Sequence, residues 1–236
     1  MKKYVFVLFL LISFVVPISI ISAKEKDYEL IAEVPKENIV LYAKEVDGLY
    51  RDFKLVFKDG TYYKESWINV TNPAYAPKLF YEDLNGDGEE ELIIILTHGY
   101  GTGLLEKEVR VFDYQDEYGL TDVLVDNPLA IISENVKTKV TPEKAEIILG
   151  VEEFTYDTSF IKPSYLFDDI VFGNIIDYDV INNQLKVRLG AQITAGRFIG
   201  DMIITYEYRD EMYQAKTMEF IMYEIKKPNY RPVRIE

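Results

Sequence analysis

The chain has 236 residues, 48% hydrophobic and 14% aromatic, so it carries enough apolar material for one packed domain or two small ones; global disorder, collagen and low-complexity fibres are excluded. Its 26 Lys and Arg against 40 Asp and Glu leave a net charge of −14 and a pI near 4.6, which excludes general nucleic-acid binding and suits calcium-rich or cationic surroundings. Cysteine is absent and histidine occurs once, at His98, so disulfides, thiolate zinc sites, iron–sulfur clusters, cysteine nucleophiles and multi-histidine metal centres are all excluded.

Met1-Lys2-Lys3 is a basic start, residues 4–21 are an apolar run broken by Ser13, Pro17 and Ser19, and Ser22-Ala23 precedes the charged string Lys24-Glu25-Lys26-Asp27. A positive segment, an apolar core and a small residue before polar sequence make a secretory signal over residues 1–23, cleaved after Ala23. An uncleaved leader would instead serve as an N-terminal membrane anchor. No other apolar run is long enough for a membrane-spanning helix. The expected location is secreted or extracytoplasmic, at the cell surface.

Along the rest of the chain the dominant period is two. Phe53, Leu55 and Phe57 alternate with Lys54, Val56 and Lys58, and Asp59-Gly60 turns this strand into a second over residues 61–68. Residues 79–82 and 92–97 read as strands, and residues 108–114 follow as a third after the glycine-rich connection Thr97-His98-Gly99-Tyr100-Gly101-Thr102-Gly103. Val136, Thr138 and Val140 alternate with lysines, and residues 145–150 follow Pro142. Leu185, Val187, Leu189, Ala191 and Ile193 face one way, with Gln184, Lys186, Arg188, Gln192 and Thr194 on the other. Asn182-Asn183 joins that strand to residues 174–180, and Arg209-Asp210-Glu211 joins residues 202–208 to 213–223. Short helices are expected at residues 37–46 and 142–145. The predicted fold is mainly β, with antiparallel sheets arranged as a sandwich or like propeller blades, few short helices, and a signal helix in front. Residues 24–156 form a β-rich region and residues 157–236 a C-terminal antiparallel region, either a second domain or part of the same one; residues 157–169 are the candidate linker.

One motif carries chemistry. Asp83-Leu84-Asn85-Gly86-Asp87-Gly88-Glu89-Glu90-Glu91 spaces oxygen-bearing side chains at loop positions one, three and five, with Gly88 at the sharp turn, the carbonyl of Glu89 next, and Glu91 at position nine. Crowding Asp83, Asp87 and Glu91 together is repulsive unless a cation neutralises them, and a flexible all-oxygen loop suits Ca2+ better than magnesium. A helix–loop–helix hand is excluded, because its bidentate glutamate would fall at Ile94 and both flanks read as strands. The alternative is a solvated hairpin turn, since Asn-Gly and Asp-Gly are turn dipeptides anywhere.

The run Phe80-Tyr81-Glu82-Asp83-Leu84-Asn85-Gly86-Asp87-Gly88 leading into residues 92–96 resembles the FG-GAP or VCBS repeat family, over about residues 78–114. That family's loops bind calcium between the strands of propeller blades. The resemblance implies a calcium site made by the side chains of Asp83, Asn85, Asp87 and Glu91 and the backbone of Glu89. The family builds propellers from tandem copies, whereas this chain has one recognisable repeat.

Weaker signals remain. The glycine-rich stretch lacks a phosphate-loop pattern, and His98 has no acid partner assignable from sequence. The acid pairs Asp168-Asp169, Asp177/Asp179 and Glu152-Glu153 could serve glycoside hydrolysis, and Asp177 with Asp179 could hold a second cation. Nineteen Tyr, with Trp67, could form a sugar-stacking or protein-binding face, or simply pack the sheets. The leading reading is an exported, non-catalytic, calcium-binding β-protein with a structural or binding role at the cell surface, its partner a cell-wall polymer, a carbohydrate or another envelope protein. The rival readings are a secreted glycosidase-like hydrolase and a membrane-anchored envelope interaction protein.

Overall fold

A computed structural model describes residues 27–58 and 60–224. The expected signal segment, residues 1–23, and Asp59 of the expected Asp59-Gly60 turn lie outside the described residues. The first sheet has five strands, β1 (Glu29–Val34), β2 (Ile39–Val46), β3 (Leu49–Phe57), β4 (Gly60–Lys64) and β5 (Asn69–Val70), with β5 paired to β3. Next come β6 (Lys78–Glu82), β7 (Glu91–Gly101), β8 (Leu104–Gln115) and β9 (Gly119–Val125), then helix α1 (Pro128–Asn135). A three-stranded sheet follows, β10 (Val136–Val140), β11 (Lys144–Leu149) and β12 (Glu152–Asp157). Residues 158–174 carry a single-turn 3-10 helix at Pro163–Tyr165 and lead into β13 (Ile175–Val180), β14 (Leu185–Thr194), β15 (Arg197–Arg209) and β16 (Met212–Met222). The expected mainly β, antiparallel class is what the structure shows. Among the described residues, no helix is long and apolar enough to cross a membrane.

Strands β13 to β16 and β9 to β6 hydrogen-bond in the order β13-β14-β15-β16-β9-β8-β7-β6 as one eight-stranded sheet. Two short parallel contacts bend it round: Ile175 and Ile176 pair with Leu105 and Glu106, and Met212 and Tyr213 pair with Leu124 and Val125. Strands β8, β9, β16, β15, β14 and β13 thereby form a closed ring. Its interior is filled as the alternation of β14 predicts, with Leu185, Val187, Leu189, Ala191 and Ile193 all buried against Met202, Ile204 and Tyr206. Each buried Leu, Val, Ile or Met side chain here contributes roughly 1.5–3 kcal/mol on burial. Gly200 lets β15 and β16 approach, since a Cβ there would stand 2.5 Å from the Ile221 carbonyl oxygen and 2.5 Å from the Phe220 ring.

The unbroken apolar run in β7 has a different cause. Ile93 and Ile95 belong to the core that fills the ring, whereas Leu92, Ile94 and Leu96 join Ile39, Leu41, Phe53, Leu55, Phe57, Trp67 and Phe112 in a second core beneath the first sheet. A strand buried on both faces has no polar side to show, so its pattern is continuous. Asn69 fastens β5 to β7: fully buried, it accepts from the Thr97 N–H at 2.6 Å and donates to the carbonyls of Val70 and Tyr75 at 2.7 and 3.0 Å.

Several local expectations are corrected. Residues 37–46 form no α-helix; Glu37 ends a 3-10 turn at Pro35–Glu37 and residues 39–46 form β2, where Ile39, Leu41 and Ala43 alternate inward between β1 and β3. Residues 142–145 are no helix either. Thr141 closes a tight turn by donating its N–H to the Lys144 carbonyl at 2.8 Å and accepting the Lys144 N–H on Oγ1 at 3.1 Å, which starts β11. The strand expected over residues 61–68 ends at Lys64. The glycine-rich stretch is mostly strand: Gly99, Tyr100 and Gly101 pair with Glu106, Leu105 and Leu104, and the turn is Thr102-Gly103, with Gly103 at φ 72°. Helix α1 was not expected, although Asn127 caps it, its side-chain oxygen accepting the N–H groups of Leu129 and Ala130, and Pro128 opens its first turn.

Candidate cation-binding loop

Strands β6 and β7 pair from Lys78↔Ile95 to Glu82↔Glu91, so residues 83–90 must reverse the chain within one hairpin connection. Side-chain oxygens hold that connection together. Asp83 accepts the N–H of Gly86 on Oδ1 at 2.7 Å and that of Gly88 on Oδ2 at 3.1 Å. Asn85 Oδ1 accepts the Asp87 N–H at 2.8 Å, and Asp87 Oδ1 accepts the Glu89 N–H at 2.8 Å. Gly88 stands at φ 95° with open space where a Cβ would be, so conformation rather than crowding favours glycine there.

Glu91, the first residue of β7, is only 2% exposed. Its Oε2 accepts the Leu84 N–H at 2.7 Å, and its Oε1 accepts from the Asn85 side-chain amide. The same Asn85 nitrogen donates to Asp87 Oδ2 at 3.0 Å. Burial raises the Glu91 pKa, the Leu84 N–H works against that, and the charges of Asp87 and Asp83 push it up further. Among the described residues, no lysine or arginine forms an ion pair with Asp83, Asp87, Glu89 or Glu91. The partial positive charge of the Asn85 amide group is what lies between the two carboxylates.

Asn85, Asp87 and Glu91 are thus in direct contact, and Asp83 is close enough for its charge to act on Glu91. The Glu89 side chain is exposed, and this residue enters the loop through its backbone N–H. Among the described residues, no three His, Cys, Asp or Glu side chains are gathered as a ready metal-holding group, the loop included. Asp83 and Asp87 spend oxygens on backbone amides, and Asn85 turns its nitrogen, not its oxygen, toward the acids. With the Asn85 amide reversed, its oxygen would join the carboxylates in an all-oxygen donor set, the kind that hard cations take.

Neighbours from distant sequence surround the loop. Asn183, at φ 57° in the turn before β14, donates to the Asp83 carbonyl at 3.1 Å. The Tyr213 side chain is 1% exposed, and its hydroxyl lies near enough to Glu91 to feel its charge without forming a hydrogen bond of ordinary geometry. Burial first, then the Glu91 charge, raises the Tyr213 pKa. Burial likewise raises Tyr208, with Glu211, Asp113, Glu91 and Asp87 adding to it. The Asn-Asn turn was legible in sequence, but the pairing of β13–β16 with β6–β9 that brings these residues to the loop was not.

The other candidate groups are placed as follows. Asp177 is held by Lys107 on one oxygen and by Arg188 Nη2 at 2.9 Å on the other, while Asp179 meets Lys78 at 3.2 Å. Both carboxylates of this proposed pair are therefore matched by the protein's own cations. His98 does have an acid partner, the Glu108 carboxylate 3.0 Å from its Nε2 across the β7–β8 ladder. Trp67 lies in the second core against Phe53 and Phe112, not on a sugar-stacking face. No family model, no curated protein and no solved structure matches the chain.

Proposed function

We propose that the protein is an exported, non-catalytic β-protein that binds Ca2+ in the 83–91 loop and works at or outside the cell surface. The observation that carries the reading is the Asn85 side-chain amide standing between the Asp87 and Glu91 carboxylates, with Glu91 buried and no basic side chain among the described residues to answer it. A divalent cation would relieve that repulsion. The side chains of Asp83, Asn85, Asp87 and Glu91 and the Glu89 carbonyl would hold it, as the resemblance to FG-GAP or VCBS loops implies. The signal-like leader supports export, and the acidic composition suits a calcium-rich medium.

The cation's contribution is structural: it supplies positive charge that lets four acidic or amide side chains share one turn. An extracellular module of this kind binds with a dissociation constant of about 10⁻⁴ to 10⁻³ M. At ten times that concentration the native state gains about 1.4 kcal/mol. Calorimetric titration of the chain beginning at Lys24 with calcium, wild type against Asp83→Ala plus Asp87→Ala, tests the reading. Wild type gives a saturable heat and a higher melting temperature, and the double variant gives neither. Equal heats and equal melting temperatures overturn it.

A further inference from the structure

The ring of strands has a split in its wall. On one edge, β8 meets β13 only at Leu105 and Glu106 and meets β9 only from Val111 onward, so residues 107–110 have no strand beside them there. Beyond these points β9 turns away to reach β16, and β13 turns away to follow β14. The wedge between them is a cavity of about 460 Å³, closed at one end by the start of α1 and lined by none of residues 83–91. The Leu105 N–H points across this edge to the Asn174 carbonyl at 2.8 Å. Backbone groups alternate sides along a strand, so those of Lys107 and Val109 face the opening.

The lining divides into a polar corner and an apolar body. In the corner, Glu108 is shared between His98 Nε2 and Arg110 Nη2, while Arg110 Nε is buried with no partner. Of the other lining charges, Asp122 is taken by Lys64 at 3.1 Å and Lys107 by Asp177, while the Glu106 carboxylate forms no ion pair among the described residues. The guanidinium of Arg110 is therefore the lining cation whose donors are least used. The body is made by Val109, Val111 and Ile176, with Leu124 and Leu129 at the rim, 68% and 39% exposed. Among the described residues the only aromatic ring lining the cavity besides His98 is Tyr178, itself buried, so these offer no platform on which a sugar could stack. The volume lies within the roughly 300–1,000 Å³ of small-molecule sites.

We propose that this split binds a small amphipathic carboxylate, its carboxylate on Arg110 beside His98 and its aliphatic body against Ile176, Leu124 and Leu129. The charged end supplies Arg110 with acceptor oxygens beyond the one its Nη2 takes from Glu108, and the chain covers aliphatic surface that the ring leaves open. The inference is independent of the calcium loop.

Octanoate and the neutral octanamide are the probes, titrated into the chain beginning at Lys24 in calcium-free buffer, with methyl NMR reporting the location. Wild type binds octanoate at one saturable site about tenfold more tightly than octanamide, as a charge-assisted contact requires. The methyl shifts concentrate on Val109, Val111, Leu124 and Ile176. Arg110→Gln abolishes the preference for the acid while octanamide still binds, and Leu124→Asp weakens both probes. No saturable binding below about 10 mM, equal affinity of wild type for the two probes, or shifts confined to other methyls overturns the proposal. The comparison of the two probes on wild type decides the matter even if a variant fails to fold.

Discussion

The side-chain amide of Asn183 donates to the backbone carbonyl of Asp83, 100 residues earlier in the chain, at 3.1 Å. A turn between two ring strands thus supports the connection that carries the candidate calcium ligands. Asn183→Ala is expected to lower calcium affinity several-fold, because one exposed hydrogen bond is worth about 0.5–1.5 kcal/mol. Titration calorimetry checks it, and the melting temperature in chelator falls as well, by about 2–4 °C per kcal/mol lost. Asn183→Gly, which retains the left-handed backbone, gives the same loss of affinity and so separates the side-chain contact from the turn.

Across the outside of the ring runs a row of alternating charge: Lys107, Asp177, Arg188, Asp201 and the hydroxyl of Tyr223. Burial by itself would raise the Asp177 pKa, but Lys107 and Arg188 outweigh it and hold the carboxyl below its ordinary value. The stabilisation from Asp177 is therefore fully present above the unfolded-state value and is lost as pH falls through the lower folded-state value. Asp177→Asn is expected to cost about 1–3 kcal/mol at neutral pH. In denaturant titrations the gap between wild type and variant stays constant above about pH 5 and narrows below about pH 4.

Asn69 joins β5 to β7 with three hydrogen bonds from a fully buried side chain. Asn69→Ala strands the Thr97 N–H and the Tyr75 carbonyl in a place with little access to water. The expected loss is about 2–3 kcal/mol, read as a lower denaturation midpoint with an unchanged slope. Asn69→Asp is expected to be worse, because it adds a buried charge and removes the donor.

Gly200→Ala places a methyl group 2.5 Å from the Ile221 carbonyl oxygen and from the Phe220 ring. Backbone cannot yield as a flexible side chain can, so β15 and β16 must separate locally. A destabilisation of about 1–3 kcal/mol is expected, visible as a lower melting temperature and faster amide exchange in residues 217–222. Gly48→Ala makes a useful contrast, since its Cβ would meet nothing within 4 Å and only the backbone conformation, at φ 75°, is strained.

Wherever period-two alternation was clean, the strands were legible in the amino-acid order. Leu185, Val187, Leu189, Ala191 and Ile193 are buried as read, and the Asn182-Asn183 turn carries two left-handed residues, as a tight hairpin needs. Residues 37–46 read as a helix because Glu, Lys and Ala also suit helices, and only pairing to β1 and β3 fixes Ile39–Val46 as a strand. Loop residues 83–91 could be picked out because their chemistry is local. Tyr213 beside Glu91, Glu108 beside His98 and the split beside Arg110 could not, since each depends on which strands become neighbours.

Strand β7 contributes side chains to both cores, Ile93 and Ile95 to one and Leu92, Ile94 and Leu96 to the other. Neither mass of apolar packing can melt while its neighbour survives intact, because extracting this segment strips a wall from each at once. Heating should accordingly register one calorimetric peak, with coincident optical and enthalpic transitions, and limited proteolysis should yield no long-lived half-molecule.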